Sequence, residues 1–255
     1  MKTKFSYLIS LIAAGASSAL AQSFIGNLTP SVGQTGVFAY WNFNSLSIGT
    51  ASNPGSGGVP TSISSNFGSA TVSLAGWAGT VDDFAGATLN AQNLGSGVDV
   101  AGASLSLIAG GVSAPFPGNG SSILFNLNLT SYADLTVSFD TRGTSTGFNA
   151  NTWAYSVDGG SFTTIAGVST ATRTTTFATA SFSLSAISAI ENQSNVVLRY
   201  TVDGATSGSG NNRIDNLTIA GTYSPAAAIP EPSTYAAILG GVALLGFAAR
   251  RRRSV

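Results

Sequence analysis

Val196-Val197-Leu198-Arg199-Tyr200-Thr201-Val202 is the stretch that decides the fold. Val196, Leu198, Tyr200 and Val202 alternate with Val197, Arg199 and Thr201. Successive side chains on a strand point to opposite faces, so a period of two marks a strand with one face in a core and the other in water. A helix would place its apolar residues three and four apart. The same pattern recurs upstream. Ile123, Phe125, Leu127 and Leu129 alternate with Leu124, Asn126 and Asn128. Leu135, Val137 and Phe139 alternate with Thr136 and Ser138, and Trp153, Tyr155 and Val157 with Ala154 and Ser156.

Further strands are predicted over residues 37–43, 70–74, 104–108, 176–184 and 214–219. Asp158-Gly159-Gly160 between Val157 and Phe162 is a tight-turn signal, so its flanks read as a hairpin. Residues 184–192 suit one or two helical turns across an end of the sheets. Many short strands with Gly, Asn and Ser turns give an all-β chain, an antiparallel β-sandwich or jelly roll. The loops 53–58 and 114–120 are too short to divide it into domains, and no exact internal repeat is present. Residues 22–222 read as one sandwich, with 223–228 as a linker into the tail.

Charged residues make up 8% of the 255, against about 25% in ordinary domains. Ser, Thr, Asn and Gly take their place, which suits the solvent faces of an extracellular β-protein. The formal net charge of zero hides an asymmetry, because the basic residues sit at the ends. Between Gln22 and Ser224 there are nine acids, four arginines and no lysine, a net charge of −5. That balance argues against nucleic acid and anionic membrane surfaces as partners. Cysteine is absent, so no disulfide supports the fold and the core must supply its stability.

Both ends carry addresses. At the start, Lys2 and Lys4 precede an apolar stretch over 8–16, and Ala19-Leu20-Ala21 forms an A-x-A cleavage site. Residues 1–21 therefore read as a signal peptide for the export machinery, with Gln22 as the mature N-terminus. At the other end, Pro230-Glu231-Pro232-Ser233 is followed by an uncharged apolar run over 235–249 and then by Arg250, Arg251, Arg252 and Arg253. The run is short of the roughly 20 residues of a full crossing, and snorkelling arginines extend its reach. Pro230 and Pro232 resist helix before the run, and Ser233 or Thr234 suits an N-cap. The expectation is one transmembrane helix with the Pro-Glu-Pro side outside and the arginines inside. The alternative is a core helix, whose four terminal arginines would have to find solvent.

The order of motif, apolar helix and terminal arginines over 229–255 resembles the PEP-CTERM sorting signal of Gram-negative bacteria. The resemblance implies recognition by an exosortase, a membrane transpeptidase-like enzyme, with cleavage near the motif. It implies delivery to the outer surface or to an exopolysaccharide matrix. The protein would be held at the membrane transiently, and Glu231 would be recognised rather than catalytic. The middle of the chain has a second, more diffuse likeness. The strand at 135–140, Tyr155-Ser156-Val157-Asp158-Gly159-Gly160, the strand at 177–184 and Asn212-Arg213-Ile214-Asp215-Asn216-Leu217 resemble the galactose-binding-like jelly-roll domains that accompany this tail. That likeness covers about 121–221 and implies a fold without a specific ligand.

Histidine and cysteine are both absent, which removes Ser-His-Asp and Cys-His catalysis and His-ligated zinc and iron. Asp82 and Asp83 would face opposite ways on a strand and read better as a turn before Phe84. The expectation is therefore no enzyme and no cofactor. Asp140, Asp158, Asp203, Asp215, Asn211, Asn212 and Asn216 carry oxygens suited to calcium. The simpler reading is turn capping; for a structural calcium, Asp203 and Asp215 are the candidates, because they flank one loop. Trp41, Trp77 and Trp153 with Tyr40, Tyr155 and Tyr200 suit either a sugar-stacking platform or core packing. Trp153 shares a face with Val157, which favours the core. A structural matrix protein, a carbohydrate-binding module and, more distantly, a hydrolase are the classes that remain.

Overall fold

The computed structural model of the chain describes residues 32–92, 100–168, 170 and 174–225. The signal-peptide residues Ala19, Ala21 and Gln22, the motif Pro230-Glu231-Pro232-Ser233, the run 235–249 and Arg250 to Arg253 lie outside the described residues. The described residues contain no helix long and apolar enough to cross a membrane.

Twelve strands form among the described residues. They are β1 (Thr35–Trp41), β2 (Ser62–Ser64), β3 (Thr71–Ser73), β4 (Thr80–Asp82), β5 (Leu105–Ile108) and β6 (Ser122–Leu127), then β7 (Tyr132–Gly143), β8 (Ala150–Val157), β9 (Thr163–Thr164), β10 (Ala178–Ser183), β11 (Val196–Asp203) and β12 (Asn211–Tyr223). One 3-10 turn, Ser188–Ile190, falls within the segment expected to be helical. The strands make two antiparallel sheets. The first runs β10-β7-β12-β5-β4, and β1 also pairs with β12. The second runs β2-β3-β6-β11-β8-β9. β12 is the axis of the first sheet. Its N-terminal part pairs with β5 and its C-terminal part with β1, while β7 follows it along the other side.

On β6, β7 and β11 the apolar residues read as inward-facing are buried; on β8 the pattern blurs, because Ala154 and Ser156 are buried as well and Tyr155 and Val157 are half-buried. Ile123, Phe125 and Leu127 of β6, Leu135, Val137 and Phe139 of β7, and Val196, Leu198, Tyr200 and Val202 of β11 all enter the core. Trp153 is its centre. Its ring stacks beside Phe125 at 5.6 Å and lies 4.9 Å from Phe182 and 4.8 Å from Tyr200. Its indole N–H donates to Thr170 Oγ1 at 3.1 Å, so the one polar atom of the ring is satisfied. The hairpin after Val157 also forms. Asp158 and Gly159 both take positive φ, and the Gly160 N–H donates to the Val157 carbonyl.

The boundaries differ in detail. β12 extends beyond 214–219 in both directions. Tyr223, read above as linker, is its last residue, and its N–H donates to the Gln34 carbonyl. Three strands of two or three residues, β2, β4 and β9, were not anticipated, because two or three residues cannot display a period. Asp82 closes β4 rather than sitting in a turn, and Asp83 follows just past the strand end.

Candidate functional site

The aromatic set resolves first. Tyr40, Trp41, Trp153 and Tyr200 are at most 1% exposed and Trp77 is 6% exposed, while Tyr155 is half-buried against the core. None of the six forms a stacking platform for sugars: Trp41, Trp77, Trp153, Tyr155 and Tyr200 pack with the core, and Tyr40 is buried on the opposite face of β1, bonded to Asn216.

The densest polar chemistry lies on the outer face of the first sheet, beneath a segment without regular structure that crosses it. Asp140 on β7 and Asp215 on β12 are register partners, and both are buried. Residues 84–92 lie over them. The Ala87 N–H donates to Asp215 Oδ2 at 2.6 Å, and the Asn90 N–H donates to Asp140 Oδ2 at 2.9 Å. Thr179 of the edge strand β10 donates to Asp140 Oδ1 at 2.7 Å. A β-bulge lies between Asp215 and Thr218, and Asn216 in it has φ +47°, a conformation that asparagine tolerates better than most residues. The bulge brings the Asn216 amide into the network. Its Nδ2 donates to Asp140 Oδ2 at 3.0 Å and to the Ala87 carbonyl at 2.8 Å, and its Oδ1 accepts from the Tyr40 hydroxyl at 2.7 Å. Asn90 Nδ2 reaches the Asn216 carbonyl, Ser138 Oγ and Thr218 Oγ1.

These contacts clamp the crossing segment to the sheet. Past the bridge between Ala85 and Ala103, residues 87–92 lie in no strand and must still satisfy their N–H groups; buried carboxylates accept those of Ala87 and Asn90. Charge-assisted bonds of this kind are the stronger class. Both carboxylates are thereby committed to donors of their own chain, which is a structural use of acid chemistry. Asp140, Asn216 and Asp215 had stood among the calcium candidates, and their clustering was not legible from spacing.

The other oxygen candidates follow turn chemistry. Asp203 is exposed at the end of β11, and its Oδ1 accepts from the next N–H, that of Gly204. Asp158 occupies the hairpin turn, and Asn212 brackets Phe148 by donating to its carbonyl and accepting from its N–H. Asp203 and Asp215 lie in different sheets, the first exposed and the second buried beneath the clamp. Among the described residues no group of three or more His, Cys, Asp or Glu could hold a metal ion.

Asp82 and Asp83 come together instead of diverging. The Asp83 N–H donates to Asp82 Oδ1 at 2.8 Å, and the two side chains share a hydrogen bond. Burial pushes the Asp82 carboxyl up, and the neighbouring Asp83 raises it further. The Ile48 N–H, donating to Asp83 Oδ2 at 2.9 Å, holds the Asp83 carboxyl down. Asp83 thereby ties the end of β4 to the loop at 48–49.

Comparison with known proteins adds one firm assignment. The PEP-CTERM protein-sorting motif matches residues 228–253. The chain thus carries this sorting signal at its C-terminus, and the signal implies exosortase sorting and export to the cell surface. No curated protein matches the chain. Among solved structures, the CBM22-1 xylan-binding domain of Xyn10C from Paenibacillus barcinonensis is 10% identical with a TM-score of 0.39, over 77% of this chain and all of that one. CBM35 of Abf62 from Cellvibrio japonicus is 19% identical with a TM-score of 0.33, over 59% of this chain and 91% of its own. The K3 adhesin domain of Lys-gingipain from Porphyromonas gingivalis is 10% identical with a TM-score of 0.30, over 47% and 72%. At these levels the likenesses identify no ligand.

Proposed function

We propose that this chain is an exported, non-catalytic β-sandwich of the cell surface, cut by an exosortase-type enzyme near Pro230-Glu231-Pro232 and left in the surface matrix as a structural or interaction module. The observation that carries this reading is where the fold ends. The Tyr223 N–H donates to Gln34, the Ser224 N–H donates to the Ser131 carbonyl, and the Tyr223 ring packs edge-on to Tyr132 at 5.8 Å. The matched sorting motif begins at residue 228. Residues 225–229 join Ser224 to Pro230, a reach of roughly 20 Å at full extension. Cleavage at the motif would leave these contacts intact, and before cleavage the short link would keep the sandwich close to the membrane.

In this reading 235–249 holds the chain at the bilayer, Arg250 to Arg253 prevent full translocation, and Ser233 belongs to the recognised segment. The commitment of Asp140 and Asp215 to internal donors supports a non-catalytic role. The test is intact mass and C-terminal mapping of the protein from its host, with and without the sorting enzyme. The expected mature chain starts at Gln22 and ends within Pro230 to Ser233. A chain still bearing Arg250 to Arg253 in the enzyme-positive host would overturn the reading. So would unaltered processing after all three motif residues are changed to Ala.

A further inference from the structure

On the outer face of the first sheet one row of side chains crosses four strands. Asp82 on β4, Ser106 on β5, Arg213 on β12 and Arg142 on β7 stand opposite one another in register. Two arginines are therefore direct cross-strand neighbours, a spacing of about 5 Å between Cβ atoms at which like charges destabilise a sheet. Burial holds the Arg213 guanidinium below its ordinary value, and the charge of Arg142 lowers it further. Arg213 lies over the Phe84 ring at 4.8 Å, and Arg142 over the Phe177 ring at 5.7 Å. Arg213 Nη1 donates to the Ala85 carbonyl at 3.0 Å, while its Nε is buried with no hydrogen-bond partner. Asp82 is the row's own counter-charge and acts on Arg213 against the effect of Arg142; the acids around the pair also have other work. Asp140 and Asp215 hold the crossing segment, and Asp82 is bonded to Asp83. Arg142 and Arg213 are thus partly exposed cross-strand neighbours, with Arg142 the one beside the exposed start of β10.

We propose that Arg142 and Arg213 form an anion site that takes the carboxylate or sulfate group of an acidic polysaccharide, with Phe84 and Phe177 as its apolar borders. A guanidinium presents its donors as a planar fork that matches a carboxylate or sulfate in two bonds. An anion set between two such forks relieves their mutual repulsion. Ser106 and Asp82 are buried, so an anion can be taken only at the Arg142–Arg213 end of the row, where both side chains are partly exposed. A net charge of −5 over the exported part opposes polyanions in general, so binding must come from the local pair rather than from the overall charge. The anion chemistry rests on the row itself; the polysaccharide as its source rests on the surface reading above.

The test uses the mature chain exported by its host, with whatever C-terminus the host leaves. Affinity electrophoresis or calorimetry would be run against polygalacturonate, dextran sulfate, neutral dextran and single-stranded DNA. The expected result is binding to one or both acidic glycans and none to dextran or DNA. Binding to polygalacturonate alone assigns a carboxylate, and to dextran sulfate alone a sulfate. Arg142→Gln and Arg213→Gln each weaken binding about tenfold or more, while Arg199→Gln on the opposite sheet leaves it unchanged. Near-UV circular dichroism checks the fold of each variant. If Arg213→Gln fails to fold, Arg142→Gln together with Arg142→Lys carries the test, because lysine keeps the charge and loses the fork. The proposal is overturned by no binding to either acidic glycan, by equal binding to dextran or DNA, or by full binding in folded Arg142→Gln. Unaltered processing in the motif variant would overturn the sorting reading and leave this result standing.

Discussion

Tyr40→Phe removes one oxygen from the clamp and nothing else. The Tyr40 side chain is fully buried, so phenylalanine fills the same space without a cavity. Two bonds are lost: the hydroxyl donation to Asn216 Oδ1 at 2.7 Å and the acceptance of the Gln92 N–H at 3.3 Å. The second is long and weak. The first leaves a buried amide oxygen without the phenol donor. A net hydrogen bond contributes about 1 kcal/mol, and a buried group left unsatisfied costs about 1–3 kcal/mol. The expected destabilisation is about 2 kcal/mol, which for a domain of this size lowers the melting temperature by about 4–8 °C. Chemical unfolding followed by the fluorescence of the buried tryptophans reads it directly. Because Asn216 also holds the Ala87 carbonyl, the crossing segment should loosen before the sandwich melts. Thermolysin should then cut faster near Leu89, which is 61% exposed. A midpoint within about 0.5 kcal/mol of the parent, with unchanged thermolysin cutting, would refute the clamp as described.

Gly86→Ala should destabilise by about 1–3 kcal/mol, because a Cβ there falls within contact distance of Asp215 Oδ2 and 2.8 Å from the Ala103 carbonyl oxygen; denaturant midpoints check it. Burial pushes the Tyr200 phenol up from an ordinary value of 10.0 to about 12. The unfolded chain therefore ionises first, so stability is intact below about pH 10 and falls between about pH 10 and 12, by about 2–3 kcal/mol in all. Tyrosinate absorbance and unfolding curves against pH should show that slope flattened in Tyr200→Phe. Trp153→Ala should cost about 3–5 kcal/mol, seen as loss of exported protein and of the cooperative melt. The emission of the three tryptophans should not shift when an acidic glycan binds, because each is in the core.

What the sequence determined by itself is the local and the linear. Val196 to Val202 alternates, so it must be a strand with one wet face, and the same holds for the runs at 123–129 and 135–139; the period is a property of neighbours along the chain. Asp158-Gly159 announces its own turn because few residues accept positive φ. The sorting signal at 228–253 is likewise a linear order of motif, apolar run and arginines. Tertiary structure alone decided which strands meet. Asn90 bonds to the Asn216 carbonyl across 126 residues, and Asp140 meets Asp215 only because β7 and β12 pair in one register. A shift of β7 by one residue would have turned Asp140 into the core, away from Asp215, and sent Phe139 outward. Arg142 and Arg213 are unremarkable in sequence and become a charged pair by that same register. Composition suggested that the acids were capping turns, and Asp203 does so. For Asp140 and Asp215 the sheet made the choice, because residues 87–92 of the covering segment lie in no strand and needed acceptors for their own N–H groups.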